Sequence, residues 1–193
     1  MKKIIAITSL LFLFGCSGVN SIIADSEKVD EKAMIITDEW ALGDSQKVAQ
    51  GIVENFKSDL NAYEKLKGKK VFYAFLQNKT DESYFPIDEF NVETRTKLED
   101  IGTFYLVDEN VSAKIIEKLS YQNDGMVGTE ASSDIYQRTG ASYIIQGGIS
   151  KKMVVIDGRK VKEYSVMFSI NDAARDVEIF RTILRSYKNI ELE

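Results

Sequence analysis

One cysteine, Cys16, stands among 193 residues, so no internal disulfide is possible and whatever this chain folds into is held by its hydrophobic core. The position of that cysteine is informative. Lys2 and Lys3 are followed by a largely apolar run from Ile4 to Phe14. Such a run is too short to span a bilayer, which takes about 20 apolar residues, and fits the hydrophobic region of a signal peptide. Leu13-Phe14-Gly15-Cys16 has the form of a bacterial lipobox, with small Gly15 at the cleavage point and Cys16 as the acceptor of a diacylglycerol. Ser17, where an aspartate would mark retention in the inner membrane, points to the outer membrane.

Charge and composition narrow the chemistry. Loss of residues 1–15 removes Lys2 and Lys3 and takes the net charge from −5 to −7. An acidic soluble part argues against nucleic acid and against a polybasic membrane patch. The absence of histidine excludes Ser-His-Asp and Cys-His catalysis and any histidine-based zinc site. No carboxylate pair, Gly-rich phosphate loop or ligand cluster stands out. No catalytic residue, metal or cofactor is therefore expected.

Residues 16–38 read as a lipidated end and short tether of mixed charge and no clear period. About twenty residues span at most ~70 Å extended, and about 25 Å as a flexible coil. From Asp44 the spacing predicts one helix, with Val48, Ile52, Phe56, Leu60 and Tyr63 on its inner stripe. Asp44 or Ser45 is its expected cap and Gly68 its end. VFYAFL, residues 71–76, reads as a strand covered on both faces.

The loop QNKTDESYFP follows, and Asp88 is expected to cap a helix with Phe90, Thr94, Leu98 and Ile101 inside. TFYLV at 103–107 predicts a strand. A helix opened by Asp108 or Asn110 comes next, with Val111, Ile115 and Leu119 in register, and then a short helix near 131–139. The last fifty residues predict a β-meander. Asp157-Gly158 is its hairpin signal, Tyr164, Val166, Phe168 and Ile170 form one buried face, and NDAARD is the second turn. Gly147 and Gly148 suit a bulge or the close approach of another backbone. The whole reads as one α/β (α+β) domain over residues 39–193, a mixed β-sheet flanked by helices.

Several segments in order resemble one family. They are Trp40 before the first helix, VFYAFLQNKTD with Asn78 and Thr80, FNVETRTKLEDIGTFYLVDEN, GASYIIQGGIS and EIFRTILRSYK, all behind a lipobox. Together they resemble the LpoB-type penicillin-binding protein activator lipoproteins. The resemblance implies a fold like the N-terminal domain of TolB and no enzymatic site. It also implies an outer-membrane, periplasm-facing lipoprotein whose partner is a class A penicillin-binding protein, a bifunctional peptidoglycan synthase. Relatives often carry long proline-rich tethers and a tryptophan in the closing strand. Here the tether is short and lacks proline, and Phe180 takes the tryptophan's place. The competing reading is a structural lipoprotein of an outer-membrane assembly, flagellar FlgO-like or curli-secretion-like, which a short tether suits.

Five side chains stand as partner-binding candidates, each with a structural alternative. Asn78 and Thr80 either shape a contact loop or bond nearby backbone to hold a turn. Trp40 either anchors an interface or pins the start of the fold. Tyr84 and Phe85 are apolar groups in a polar loop that invite contact, unless Phe85 staples the next helix.

Overall fold

The chain is described from a computed structural model that covers residues 39–120, 129–156, 158–175 and 177–189. The signal peptide, Cys16, the tether, Asp157 and most of the polar stretch after Ser120 lie outside the described residues.

The run VFYAFL forms the heart of strand β1 (Lys70–Asn78), and it is buried on both faces as its composition requires. Val71, Tyr73 and Leu76 join one core, and Phe72 and Ala74 join another. Before it come α1 (Leu42–Ser58) and α2 (Leu60–Leu66). After it come α3 (Ile87–Glu99), a two-residue β2 (Tyr105–Leu106), α4 (Glu109–Ser120) and α5 (Thr129–Thr139). The meander consists of β3 (Tyr143–Ile156), β4 (Arg159–Asp172) and β5 (Val177–Asn189). The sheet order is β2-β1-β3-β4-β5, with β1 parallel to both neighbours and the last three strands antiparallel. This is the mixed sheet flanked by helices that the sequence implied.

The first core lies under α1, α2 and α3 and is rich in rings. Phe56 meets Phe180 edge-on at 5.5 Å between centroids, and Phe180 in turn meets Phe168 at 6.3 Å. Tyr164, Val166, Phe168 and Ile170 all enter this core from one face of β4, as their alternation predicted. The second, smaller core sets Phe72, Ala74 and Ile144 against Val107, Ile115 and Ile135.

Local departures have local causes. The expected first helix is two helices, because Asp59 leaves helical geometry and its Oδ1 accepts the Ala62 amide proton at 3.0 Å as the cap of α2. That turn swings Leu60 out of the stripe, to 72% exposure. Neither Asp44 nor Ser45 is the cap of α1. Helix α1 starts from Ala41, whose N–H donates to Asp44 Oδ2 at 2.8 Å from the helix's first turn. Asp88 likewise lies inside the first turn of α3, which begins after Pro86.

Other boundaries fall where expected. Asp108 does open α4, accepting from Asn110 and Val111 N–H at 3.0 and 3.3 Å. Val111 itself faces solvent, and Ser112 and Ile115 point inward. The predicted strand at 103–107 shrinks to Tyr105–Leu106, with buried Phe104 and Val107 on either side. At Gly147 a Cβ would lie 2.1 Å from the Met167 carbonyl oxygen, so the glycine there does permit a close backbone approach.

Candidate partner-binding site at the end of β1

β1 is irregular where it leaves the core. Its register against β3 shifts between Tyr73 and Leu76, and Phe75 sits in the left-handed region at φ +58°. A non-glycine residue there is strained and is held by its surroundings. The extra residue turns Leu76 so that its backbone faces away from β3, on the side where β2 has already ended. Asn91, buried on α3, takes the place of the missing strand. Its Oδ1 accepts the Leu76 amide proton at 2.6 Å, and its Nδ2 donates to the Leu76 and Ile87 carbonyls at 3.0 and 2.9 Å. The Tyr73 hydroxyl donates to the same Oδ1 at 2.8 Å. Burial pushes the Tyr73 phenol well above its ordinary value, so it remains a donor.

Beside this bulge lies a groove of about 540 Å³, with Phe75, Ile87 and Val92 among its apolar groups and Asp88, Arg95 and Glu109 among its charged ones. Arg95 pairs with Glu99 at 2.9 Å and donates to the Val107 carbonyl at 2.9 Å.

The loop after β1 is built by its own polar side chains. Asn78 Oδ1 accepts from the Thr80 N–H at 2.9 Å and from the Thr80 hydroxyl at 2.6 Å, and Thr80 Oγ1 accepts from the Glu82 N–H at 3.2 Å. These turns present Glu82 to the sheet. Its Oε1 accepts from the Tyr164 hydroxyl at 2.5 Å and from Lys151 Nζ at 3.0 Å, with Lys162 Nζ at 3.9 Å. Lys151 also meets Asp81 at 2.6 Å. That hydrogen bond holds the Asp81 carboxyl below its usual range and raises the Lys151 ammonium, which Glu82 raises further against the opposing effect of burial.

The five candidates therefore separate. Asn78 and Thr80 build the turn. Tyr84 projects from it, 98% exposed. Trp40 and Phe85 are corrected: both are buried, at 5% and 7%, and present no surface to a partner. Trp40 packs on Phe85, Phe90 and Tyr164 with centroids 5.4–5.6 Å away, and its indole N–H donates to Ser45 Oγ at 2.8 Å. Phe85 lies beneath the loop as a staple to the domain. Sequence reasoning missed Asn91, Glu82 and Lys151. The i, i+4 series Ile87-Asn91-Arg95 could have shown a polar inner position on α3. Nothing local couples Glu82 to Lys151, 69 residues on.

The family described as "Peptidoglycan-synthase activator LpoB" matches residues 44–181, from α1 into β5. Comparison with curated proteins gives no match. Among solved structures, the LpoB C-terminal domain from Escherichia coli is similar with a TM-score of 0.57 and 15% identity, covering 74% of this chain and 98% of that one. The LpoB C-terminal domain from Salmonella enterica is similar with a TM-score of 0.53 and 14% identity, covering 76% and 98%. The two structures speak for the fold, and the matched sequence pattern speaks for descent: this chain belongs to the LpoB family of peptidoglycan-synthase activators.

Proposed function

We propose that the protein is an outer-membrane lipoprotein, anchored through a diacylglycerol on Cys16 and facing the periplasm, that binds a class A penicillin-binding protein and stimulates its peptidoglycan synthesis. On this reading residues 1–15 are removed, 16–38 are the tether and 39–193 form the docking domain. The observation that carries it is the family match over residues 44–181, which takes in nearly every element of the fold. The lipobox and the exposed Tyr84, on a loop fastened by Asn78, Thr80 and Glu82, add support. Stimulation without an enzymatic site of its own means that the domain binds the active conformation of the synthase more tightly than the inactive one and shifts that population.

The short tether favours the second reading, a structural lipoprotein working close to the membrane. Affinity capture separates the two: the tagged chain is cross-linked in its own host and its partners are identified by mass spectrometry. Enrichment of a bifunctional synthase, followed by faster glycan polymerisation when the purified proteins are mixed, supports the activator. Enrichment of flagellar or secretion components with no synthase above background sinks it.

A further inference from the structure

The β3–β4 hairpin runs on past β1. β1 stays with β3 only as far as Asn78↔Ile149, whereas β3 and β4 remain paired to Ile156↔Arg159. The first core reaches Ile149 on β3 and Tyr164 on β4, and beyond them Val161 is still buried on β4. At the projecting end Met153, Val155 and Ile156 are 53%, 67% and 42% exposed.

The same tip gathers cations in an acidic protein. Lys151, Lys152, Arg159, Lys160 and Lys162 fall within residues 151–162, where Asp157 is the one acid. Three of the five have acidic partners elsewhere in the fold, which leaves Arg159 and Lys160 as the cations at the very end of the hairpin. Lys151 and Lys162 are drawn inward toward Glu82, and Lys152 reaches Glu163 while staying 63% exposed. Arg159 and Lys160 are exposed. The ladder sets each exposed apolar residue directly opposite a cation: Met153 faces Lys162, Val155 faces Lys160 and Ile156 faces Arg159. Residues opposite one another share a face of the sheet, so the first two pairs lie on one face and the third on the other.

A lipid surface surrounds the end of such a ribbon, taking apolar side chains from both faces into the acyl boundary while long cationic stems reach back to the phosphates. Cations close to an anionic leaflet add attraction that falls off within a Debye length. No helix among the described residues is long and apolar enough to cross a membrane. We propose that the tip of the β3–β4 hairpin is a membrane-contact element that binds anionic phospholipid surfaces on its own, without help from any anchor at Cys16.

The test uses the chain from Cys16 onward with Cys16→Ser, which keeps both cores whole, since they lie between Trp40 and Phe180. It is sedimented with vesicles of phosphatidylcholine alone or of phosphatidylcholine with phosphatidylglycerol. Sedimentation with the anionic vesicles and not the neutral ones is expected. Arg159→Glu with Lys160→Glu, and separately Val155→Ser with Ile156→Ser, should each lower partitioning about tenfold or more. Unchanged Trp40 emission checks that these surface variants fold. A polarity-sensitive dye on Val155→Cys, now the only thiol, should shift to the blue with anionic vesicles alone. Absence of sedimentation with anionic vesicles overturns the proposal, as does equal sedimentation of parent and variants. Variants that lose synthase stimulation when the parent binds no vesicle assign the tip to a protein and overturn it too.

Discussion

Asn91 and Leu76 are joined twice: the Leu76 N–H donates to Asn91 Oδ1 at 2.6 Å, and Asn91 Nδ2 donates to the Leu76 carbonyl at 3.0 Å. One side-chain amide thus copies the pair of hydrogen bonds that a neighbouring strand would make, at the point where β2 has ended and the bulge at Phe75 has turned the backbone outward. It blocks the open edge of β1 and keeps the strained residue in place.

Replacing that amide should be costly. Asn91→Ala leaves both Leu76 groups without a partner in a buried site, and deprives Tyr73 of its acceptor. A loss of about 3 kcal/mol or more in urea denaturation is expected, since each buried polar group left unpaired costs about 1–3 kcal/mol. A loss under about 0.5 kcal/mol would mean that the clamp holds nothing.

Trp40 separates stability from docking. Trp40→Ala should cost about 3–5 kcal/mol, because it empties a site among Phe85, Phe90 and Tyr164. Tyr84→Ala should leave stability within about 0.5 kcal/mol and reduce synthase stimulation several-fold. Full stimulation by the Tyr84 variant would take that side chain out of the contact.

The two adjacent glycines are unequal. In Gly147→Ala the methyl group would press on the Met167 carbonyl oxygen at 2.1 Å, a backbone atom that cannot step aside. In Gly148→Ala it meets the Gln77 carbonyl oxygen at 3.0 Å and the flexible Lys79 stem at 3.3 Å. Thermal melts should show Gly147→Ala as clearly the worse, by about 1–3 kcal/mol.

The loop clamp has defined pH limits. Asp81 titrates lower in the folded protein than its unfolded value of about 3.9, so its contribution is complete above that pH and is lost as pH falls through the folded value. Lys151 titrates higher than about 10.4, so its contribution is complete below that pH and is lost as pH rises through the folded value. With Glu82, Lys162 and Tyr164 as the other groups facing Lys151, and no histidine in the chain, Trp40 emission should be flat from about pH 5 to 9. A transition near neutrality would contradict this account of the clamp.

The sequence reveals most where the signal is local and repeated. The unbroken apolar run of β1, the alternation of Tyr164 to Ile170 and Gly68, which has positive φ after the helices it was expected to end, mark their elements correctly. It misleads where one polar side chain redirects the backbone, as Asp59 does when it breaks the helix and turns Leu60 outward. It is silent where a contact joins distant segments. Trp40 reads as core more readily than as an anchor, but its partners are unknown until Phe85 and Tyr164 are placed around it. Asn91 looks like an ordinary polar residue of a helix, and its role follows from a bulge on another strand. The Glu82–Lys151 pair exists only once the sheet has formed.

The parallel pairing of β1 with β3 also sets an order of assembly. Val71 lies beside Tyr143, about seventy residues further along, so that pairing has to close a long loop. The β3–β5 meander needs only short-range closures. Pulsed hydrogen exchange during refolding should therefore find β4 amides protected before those of β1. If the chain is exported unfolded, as the signal-peptide reading implies, β1 is among the first strands to emerge and must wait for β3, so the two halves of the sheet join only once most of the polypeptide is across.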